Sequence, residues 1–394
     1  MTISARPVPR PPSTAALRIA RVLAVAALLF IFLLGVKGLG EGFKLLGSDF
    51  LDVFFRATAN PFIGLIIGIL ATTLVQSSSV STAMIVGLVA APENPLPLAN
   101  AIPMIMGANI GTTVTNTLVS LAHIGRKDEF RRAFAAATCH DFFNYFAVVV
   151  LLPLEMMTGF LRYSAEAVTE MLVGTGTRGV AYESPLDGVL KAGFQPIKSL
   201  VAAVSQSTQV QAALLVVIAG VLIFTSLILL VRLMRSLLQA RVEVGIVGSF
   251  GQSALVGIVI GTVVTIMVQS SSITTSLLIP LAGAGIITLE QVFPITIGAN
   301  IGTTVTALLA SLAVTGVNAT AGITIAIVHL IFNLTAALVI YGIPPLRRLP
   351  LAAARALAEV ATRSRLLAIA YIFGAFYVLP AIIAIIDITL LSRE

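Results

Sequence analysis

Long apolar runs separated by short polar connections fill most of this chain, a pattern of membrane-crossing helices rather than of a soluble core. The runs 22–36, 133–154, 212–231, 321–343 and 366–386 approach or exceed the roughly 20 residues that a spanning helix needs. Within the second of them the only Asp, Glu, Lys, Arg or His residues are His140 and Asp141. Two other stretches, 61–91 and 254–283, are apolar at their ends and polar in the middle. The first would put Thr72, Thr73, Gln76, Ser77, Ser78, Ser79, Ser81 and Thr82 at bilayer depth. A helical hairpin that enters and returns on one side resolves this, because its irregular tip can be buried in protein or line a wet cavity. The segments 98–121 and 292–312 predict crossings after each hairpin.

The polar positions recur. Gln76, Ser77, Ser78 and Ser79 return as Gln269, Ser270, Ser271 and Ser272. The sequence GANIGTTVT stands at 107–115 and again at 298–306, and HDFFN at 140–144 is matched by HLIFN at 329–333. The same motifs in the same order, twice, make an internal repeat. Polar motifs buried in hydrophobic repeats are how secondary transporters build a site at mid-membrane. Gly64 and Gly68, matched by Gly257 and Gly261, read as close-packing positions in the hairpins. Gly107, Gly111, Gly298 and Gly302 predict a break in the helix that carries GANIGTT, freeing backbone groups there.

Composition agrees: hydrophobic residues are 58% of the chain and charged residues 10%, where a soluble domain carries roughly 25%. The net charge of +7 sits in short connections and so sets orientation rather than a nucleic-acid stripe. Arg6, Arg10, Arg18 and Arg21 precede the first run, which places the N-terminus in the cytoplasm ahead of an uncleaved helix that exits near Lys37. Arg126, Lys127, Arg131 and Arg132 fill one connection, whereas its counterpart 313–322 is uncharged. Residues 344–365 carry Arg347, Arg348, Arg355, Arg363 and Arg365, against mixed charge in 159–210. Opposite charge bias in matching connections indicates inverted topology.

The fold expected is therefore an all-α polytopic membrane protein with two inverted-topology repeats, each holding a re-entrant hairpin and a broken helix. Residues 1–59 form a cytoplasmic N-terminus, first helix and outer amphipathic segment, and 60–158 the first repeat. An extracellular loop (159–210) and a linking helix with a basic linker (211–245) lead to the second repeat (246–343). A basic cytoplasmic segment and final helix occupy 344–394 and bring the C-terminus outside.

The recurrent groups are carboxamides and hydroxyls, with no Lys, Arg, Asp, Glu or His inside either Gln-Ser-Ser-Ser or either GANIGTTVT. Their oxygens suit a hard alkali cation, and their donors, with a helix N-terminus, suit an anion. Ser and Thr also bond back to their own helix, and a lone serine run reads that way; two runs in register with a second polar motif do not. His140 and His329 read first as satisfied core donors, and Asp141 as either a functional carboxylate or a partner of Arg131 or Arg132. The single cysteine, Cys139, excludes an internal disulfide. No carboxylate pair, nucleophile–base set or metal cluster points to an enzyme.

With these motifs the chain resembles the type II sodium-dependent phosphate cotransporters, whose inverted repeats carry duplicated QSSS. The resemblance runs over about 60–379, in AIPMIMGANIGTTVTNTLVSL, EFRRAFAAATCHDFFN and VVVLLPLEMMTG of the first repeat and in residues 269–312 of the second. The segment 159–210 lacks the cysteines of animal members, which suggests a bacterial-type member. The resemblance implies a plasma-membrane symporter that imports inorganic phosphate with sodium ions and needs no cofactor. It implies phosphate sites at Gln76, Ser77, Ser78, Ser79, Asn109, Thr112, Thr113 and at Gln269, Ser270, Ser271, Ser272, Asn300, Thr303, Thr304. It implies sodium sites among Gln76, Ser77, Thr112, Thr115, Gln269, Ser270, Thr303 and Thr306. The alternatives are a sodium-coupled carrier of another small oxyanion and a transport-inactive phosphate sensor or scaffold.

Overall fold

The computed structural model describes residues 14–45, 55–174, 184–248 and 253–391, and the elements among them are all helices. Helix α1 (Thr14–Leu45) precedes the two arms of the first hairpin, α2 (Pro61–Val75) and α3 (Ser78–Val89). Then come α4 (Leu98–Thr112), the short α5 (Val114–Ser120) and the long α6 (Lys127–Thr158). Helices α7 (Phe160–Val173) and α8 (Asp187–Val204) lead to α9 (Thr208–Gly248). The second hairpin is α10 (Ala254–Val268) followed by α11 (Ser271–Ser276) and α12 (Leu278–Gly283). Helices α13 (Leu289–Ser311), α14 (Ala319–Ala336), α15 (Pro344–Arg363), α16 (Arg365–Phe373) and α17 (Leu379–Leu391) follow.

Among the described residues six helical segments are long and apolar enough to cross a membrane: Ile19–Leu45, Lys127–Thr158, Thr208–Leu237, Leu289–Ser311, Ala319–Tyr341 and Arg365–Asp387. This is a multi-pass membrane protein. Two of the six continue through π-helical turns, at Ala337–Tyr341 and Gly374–Val378. The hairpin arms α2 and α3 have 15 and 12 residues. At 1.5 Å per residue they reach about 22 and 18 Å, short of the ~30 Å hydrocarbon thickness, as the arms of a re-entrant hairpin would be.

Three expectations change. Helix α1 is longer than expected: it runs on past Lys37 to Leu45, and Lys37 pairs with Asp187 at 3.0 Å. The rest of the outer amphipathic segment, 46–54, lies outside the described residues. The segment 159–210 is not a plain loop but holds α7 and α8, each burying one narrow stripe: Leu161, Ala165 and Thr169 on the first, Asp187, Leu190, Phe194 and Val201 on the second. Burial disfavours the charge on Asp187, yet hydrogen bonds from Lys191 and Lys37 outweigh it and hold the carboxyl below its ordinary range.

The third correction concerns GANIGTT. In the second copy α13 runs unbroken through 298–306, and in the first only Thr113, itself still right-handed, separates α4 from α5. The glycines serve close approach instead. A Cβ on Gly107 would collide with the Leu65 carbonyl oxygen, and one on Gly298 with that of Ile258. From the other side, Gly68 faces the Met104 carbonyl and Gly261 that of Ile295 in the same way. Backbone therefore meets backbone where α2 crosses α4, and again where α10 crosses α13.

Connections sort into two groups. In one, Lys44 lies 3.0 Å from Glu93, Asn318 donates to the Ala91 carbonyl at 2.7 Å, and Ser184 donates to the Leu312 carbonyl at 2.7 Å. In the other, Arg132 donates twice to the Gly283 carbonyl, at 2.9 and 2.6 Å, Arg131 lies 3.7 Å from Glu359, and Arg355 pairs with Glu290. Helix α13 starts in the second group and ends in the first, so the two lie at opposite ends of the bundle.

Candidate functional site

Each Gln-Ser-Ser-Ser motif stops one helix and starts the next within two residues. Gln76 takes the left-handed conformation (φ 58°), with its N–H on the Thr72 carbonyl and its side-chain Nε2 on the Thr73 carbonyl at 2.5 Å. These bonds satisfy two carbonyls that the end of α2 would leave open. Ser77 is extended, and its hydroxyl accepts from the Val80 N–H at the start of α3. The second copy repeats this: Gln269 has φ 57°, its Nε2 donates to the Ile266 carbonyl at 2.7 Å, and the Ser270 hydroxyl accepts from the Ile273 N–H. Among the described residues only Asn94 joins these two glutamines as a non-glycine with positive φ.

The glutamine carbonyl oxygens are held by the last threonine of GANIGTTVT. Thr115 donates to Gln76 Oε1 at 3.0 Å and Thr306 to Gln269 Oε1 at 3.1 Å. Ser79 bridges the copies, donating to Thr306 at 3.3 Å, and Gln76 also donates to the Tyr377 hydroxyl at 3.1 Å. The two motifs, far apart in sequence, line one cavity of about 340 Å³. Its walls include all of Gln76, Ser77, Ser78, Ser79, Gln269, Ser270, Ser271 and Ser272, with Phe224, Leu227, Ile228, Val231 and Arg232 from α9. The donors and acceptors offered by the motifs are neutral hydroxyls, amides and backbone groups.

The other candidates go elsewhere. Thr112 and Thr303 donate to the carbonyls of Ala108 and Ala299, at 2.9 and 3.0 Å. Thr113 and Thr304 donate to Ile110 and Ile301, at 2.9 and 2.7 Å. All four are buried and none lines the cavity. Asn109 and Asn300 enter a buried network in which the two halves exchange partners. Asn109 Nδ2 donates to Asn333 Oδ1 at 2.9 Å, so its Oδ1 accepts from His329 Nε2 at 3.0 Å. Asn300 Nδ2 donates to Asn144 Oδ1 at 2.7 Å, and its Oδ1 accepts from His140 Nε2 at 2.6 Å. Each GAN asparagine is thus gripped by the His and Asn of the other copy's third motif.

The network is not fully symmetric. His140 Nδ1 accepts from Asn116 at 3.2 Å, and Asn116 Oδ1 accepts from Thr275 and Ser276. His329 Nδ1 is buried without a hydrogen-bond partner. The cause is in the sequence: Ala307 stands in the second copy where Asn116 stands in the first. Asp141 does not pair with Arg131 or Arg132. Its Oδ2 accepts from the Tyr371 hydroxyl at 2.8 Å and from Thr117 at 3.4 Å, while its buried Oδ1 has no partner. Sequence reasoning missed Asn116, Arg232 and Tyr377, which lie outside the repeated motifs; Asn144 and Asn333 were inside the third motif and could have been weighed with its histidines.

Comparison with known proteins follows the same residues. A family model described as Na+/Pi-cotransporter matches residues 31–180 and 222–343. The chain is 33% identical to the sodium-dependent phosphate transport protein 2A of Mus musculus, over 93% of this chain and 67% of that protein. It is 31% and 30% identical to the sodium-dependent phosphate transport proteins 2B of Pongo abelii and Homo sapiens, in both cases over 92% of this chain and 64% of the relative. The chain thus spans about two thirds of the length of these relatives. No solved structure matches it. By the family model and by identity across nearly its whole length, the chain belongs to the Na+/Pi-cotransporter family.

Proposed function

We propose that the protein is a sodium-coupled symporter that imports inorganic phosphate across the plasma or inner membrane by alternating access. The observation that carries this reading is the single cavity lined by both Gln-Ser-Ser-Ser motifs. Phosphate binds there to Gln76, Ser77, Ser78, Ser79 and Gln269, Ser270, Ser271, Ser272, helped by the first N–H groups of α3, which no helical carbonyl satisfies. The names of the relatives, sodium-dependent phosphate transport proteins, support the substrate and the coupling ion.

Phosphate brings about 1.5 to 2 negative charges, and an uncompensated anion in a span is very unfavourable. Sodium ions bound beside it supply much of the compensation. Their ligands are the glutamine and serine oxygens with Thr115 and Thr306, which already reach Gln76 and Gln269. Asp141, with one oxygen unpartnered at depth, is a further sodium ligand. Thr112, Thr113, Thr303, Thr304, Asn109 and Asn300 shape the frame behind the site. The two groups of connections support an N-terminus in the cytoplasm and a C-terminus outside, because the arginine-rich group falls at one end.

The test is radiolabelled phosphate uptake into proteoliposomes. Uptake should require an inward sodium gradient and resist excess sulfate. Uptake equally fast in potassium, or displaced by sulfate, would overturn the coupling or the substrate. Phosphate binding without any uptake would mark a sensor instead.

A further inference from the structure

We propose that Arg232 is a substrate-capturing residue: its guanidinium binds the anion at the rim of the cavity between the two Gln-Ser-Ser-Ser motifs, which makes α9 a wall of the site rather than a connector. The inference rests on the phosphate-transport reading above. Helix α9 faces the cavity with Phe224, Leu227, Ile228, Val231 and Arg232. The spacing of these residues, three, four, seven and eight positions from the first, puts them on one helical face. Four are apolar, and among the described residues Arg232 is the only charged one that lines the cavity.

Three arginines at the nearby end of the bundle are occupied, Arg131 by Asp128 and Glu359, Arg132 by the Gly283 carbonyl and Arg355 by Glu290, whereas Arg232 differs from the remaining ones in lining the cavity. Among the described residues no ion pair or hydrogen bond takes up Arg232. A cation at the cytoplasmic rim of a span needs no explanation beyond orientation. A cation on the face that looks at both motifs does. Guanidinium presents a planar fork of donors that matches two oxygens of a tetrahedral oxyanion. The motifs offer only neutral donors, so Arg232 is the one fixed positive charge the cavity has, present whether or not sodium is bound.

Equilibrium binding of radiolabelled inorganic phosphate to the purified full-length protein tests this. Arg232→Gln should weaken phosphate at saturating sodium by roughly 10- to 100-fold, the range of a charge-assisted hydrogen bond. Arg232→Lys should lose less, and Arg235→Gln, three positions on and not lining the cavity, should bind as the wild type does. If Arg232→Gln does not fold, Arg232→Met keeps the apolar stem and replaces it. Unchanged affinity in the folded Gln or Met variant overturns the proposal, as does an equal loss in Arg235→Gln, which would mean a diffuse field. Wild-type protein that binds no phosphate at all would instead sink the reading on which the proposal rests.

Discussion

Gln76 and Gln269 hold a backbone conformation that costs an L-residue roughly 1–2 kcal/mol and that glycine adopts freely. Gln76→Gly should therefore relieve about as much strain as it loses in the Nε2 hydrogen bond, ~0.5–1.5 kcal/mol. Its melting temperature should stay near wild type while phosphate uptake disappears, because the Oε1 that Thr115 holds is gone. Gln76→Ala should lose uptake too, but melt lower than the glycine variant. Uptake at wild-type rates in the glycine variant would remove the glutamine from the site. Asn300→Ala has a different signature: His140 Nε2 and Asn144 Oδ1 lose their buried partner. Each unpaired group costs about 1–3 kcal/mol, so a falling melting temperature should accompany any loss of activity. Residue types alone could not separate these roles. A buried threonine hydroxyl bonds equally well to its own helix or to a ligand, and Thr112, Thr113, Thr303 and Thr304 took the local carbonyl. Nor does glutamine announce a left-handed turn, since its side chain makes that turn workable by capping the helix it ends.

Glycine misled at the next scale because it carries two meanings. In GANIGTT it signalled a break, yet it marks the places where one helix backbone lies against another. The same signal in Gly64 and Gly68 was read as packing, and the two positions now differ in degree. A Cβ on Gly64 would lie 3.3 Å from the Asn100 carbonyl oxygen, whereas on Gly68 it would overlap that of Met104. Gly68→Ala should cost about 3 kcal/mol or more, at or past the usual range for overpacking, and Gly64→Ala clearly less. Yield of monodisperse protein and its melting temperature rank the pair; a wild-type melt for Gly68→Ala would show that α2 and α4 can move apart. Most spans were legible, since apolar length decides them, but the crossing expected over 98–121 is not among the six, being divided at Thr113 into α4 and α5. The helices within 159–210 were not legible, because an amphipathic stripe of three or four buried positions looks like mixed loop sequence.

The whole molecule gives one orientation test. Cys139 is free and fully buried, so labelling of an introduced cysteine starts from a low background. Arg235→Cys should react with an impermeant maleimide only from the cytoplasmic side, and Val317→Cys, 53% exposed, only from outside. Reaction of both from one side would rule out the inverted arrangement. The charge bias of the connections predicts this arrangement, which the labelling tests; the cavity between the copies was not legible, because nothing in the sequence says how two distant hairpin tips face one another.

Asn109 is satisfied by His329 and Asn333, and Asn300 by His140 and Asn144, so neither half satisfies the side chain of its own GAN asparagine. Within the first copy Asn144 reaches only the Asn109 backbone carbonyl, at 2.9 Å, so one copy by itself would leave the asparagine side chain without these partners. It would find them in a second copy lying the other way up. In the inverted arrangement that the sequence predicts, a pair of identical short chains inserted in opposite directions would make the same exchange. The halves differ at Asn116, whose counterpart is Ala307, but a change at either exchanged asparagine leaves buried partners in the other half unpaired. Cutting the chain between α8 and α9 should therefore give fragments that accumulate and take up phosphate when expressed together. Either fragment alone should be degraded, and a fragment that persists and folds by itself would break this account.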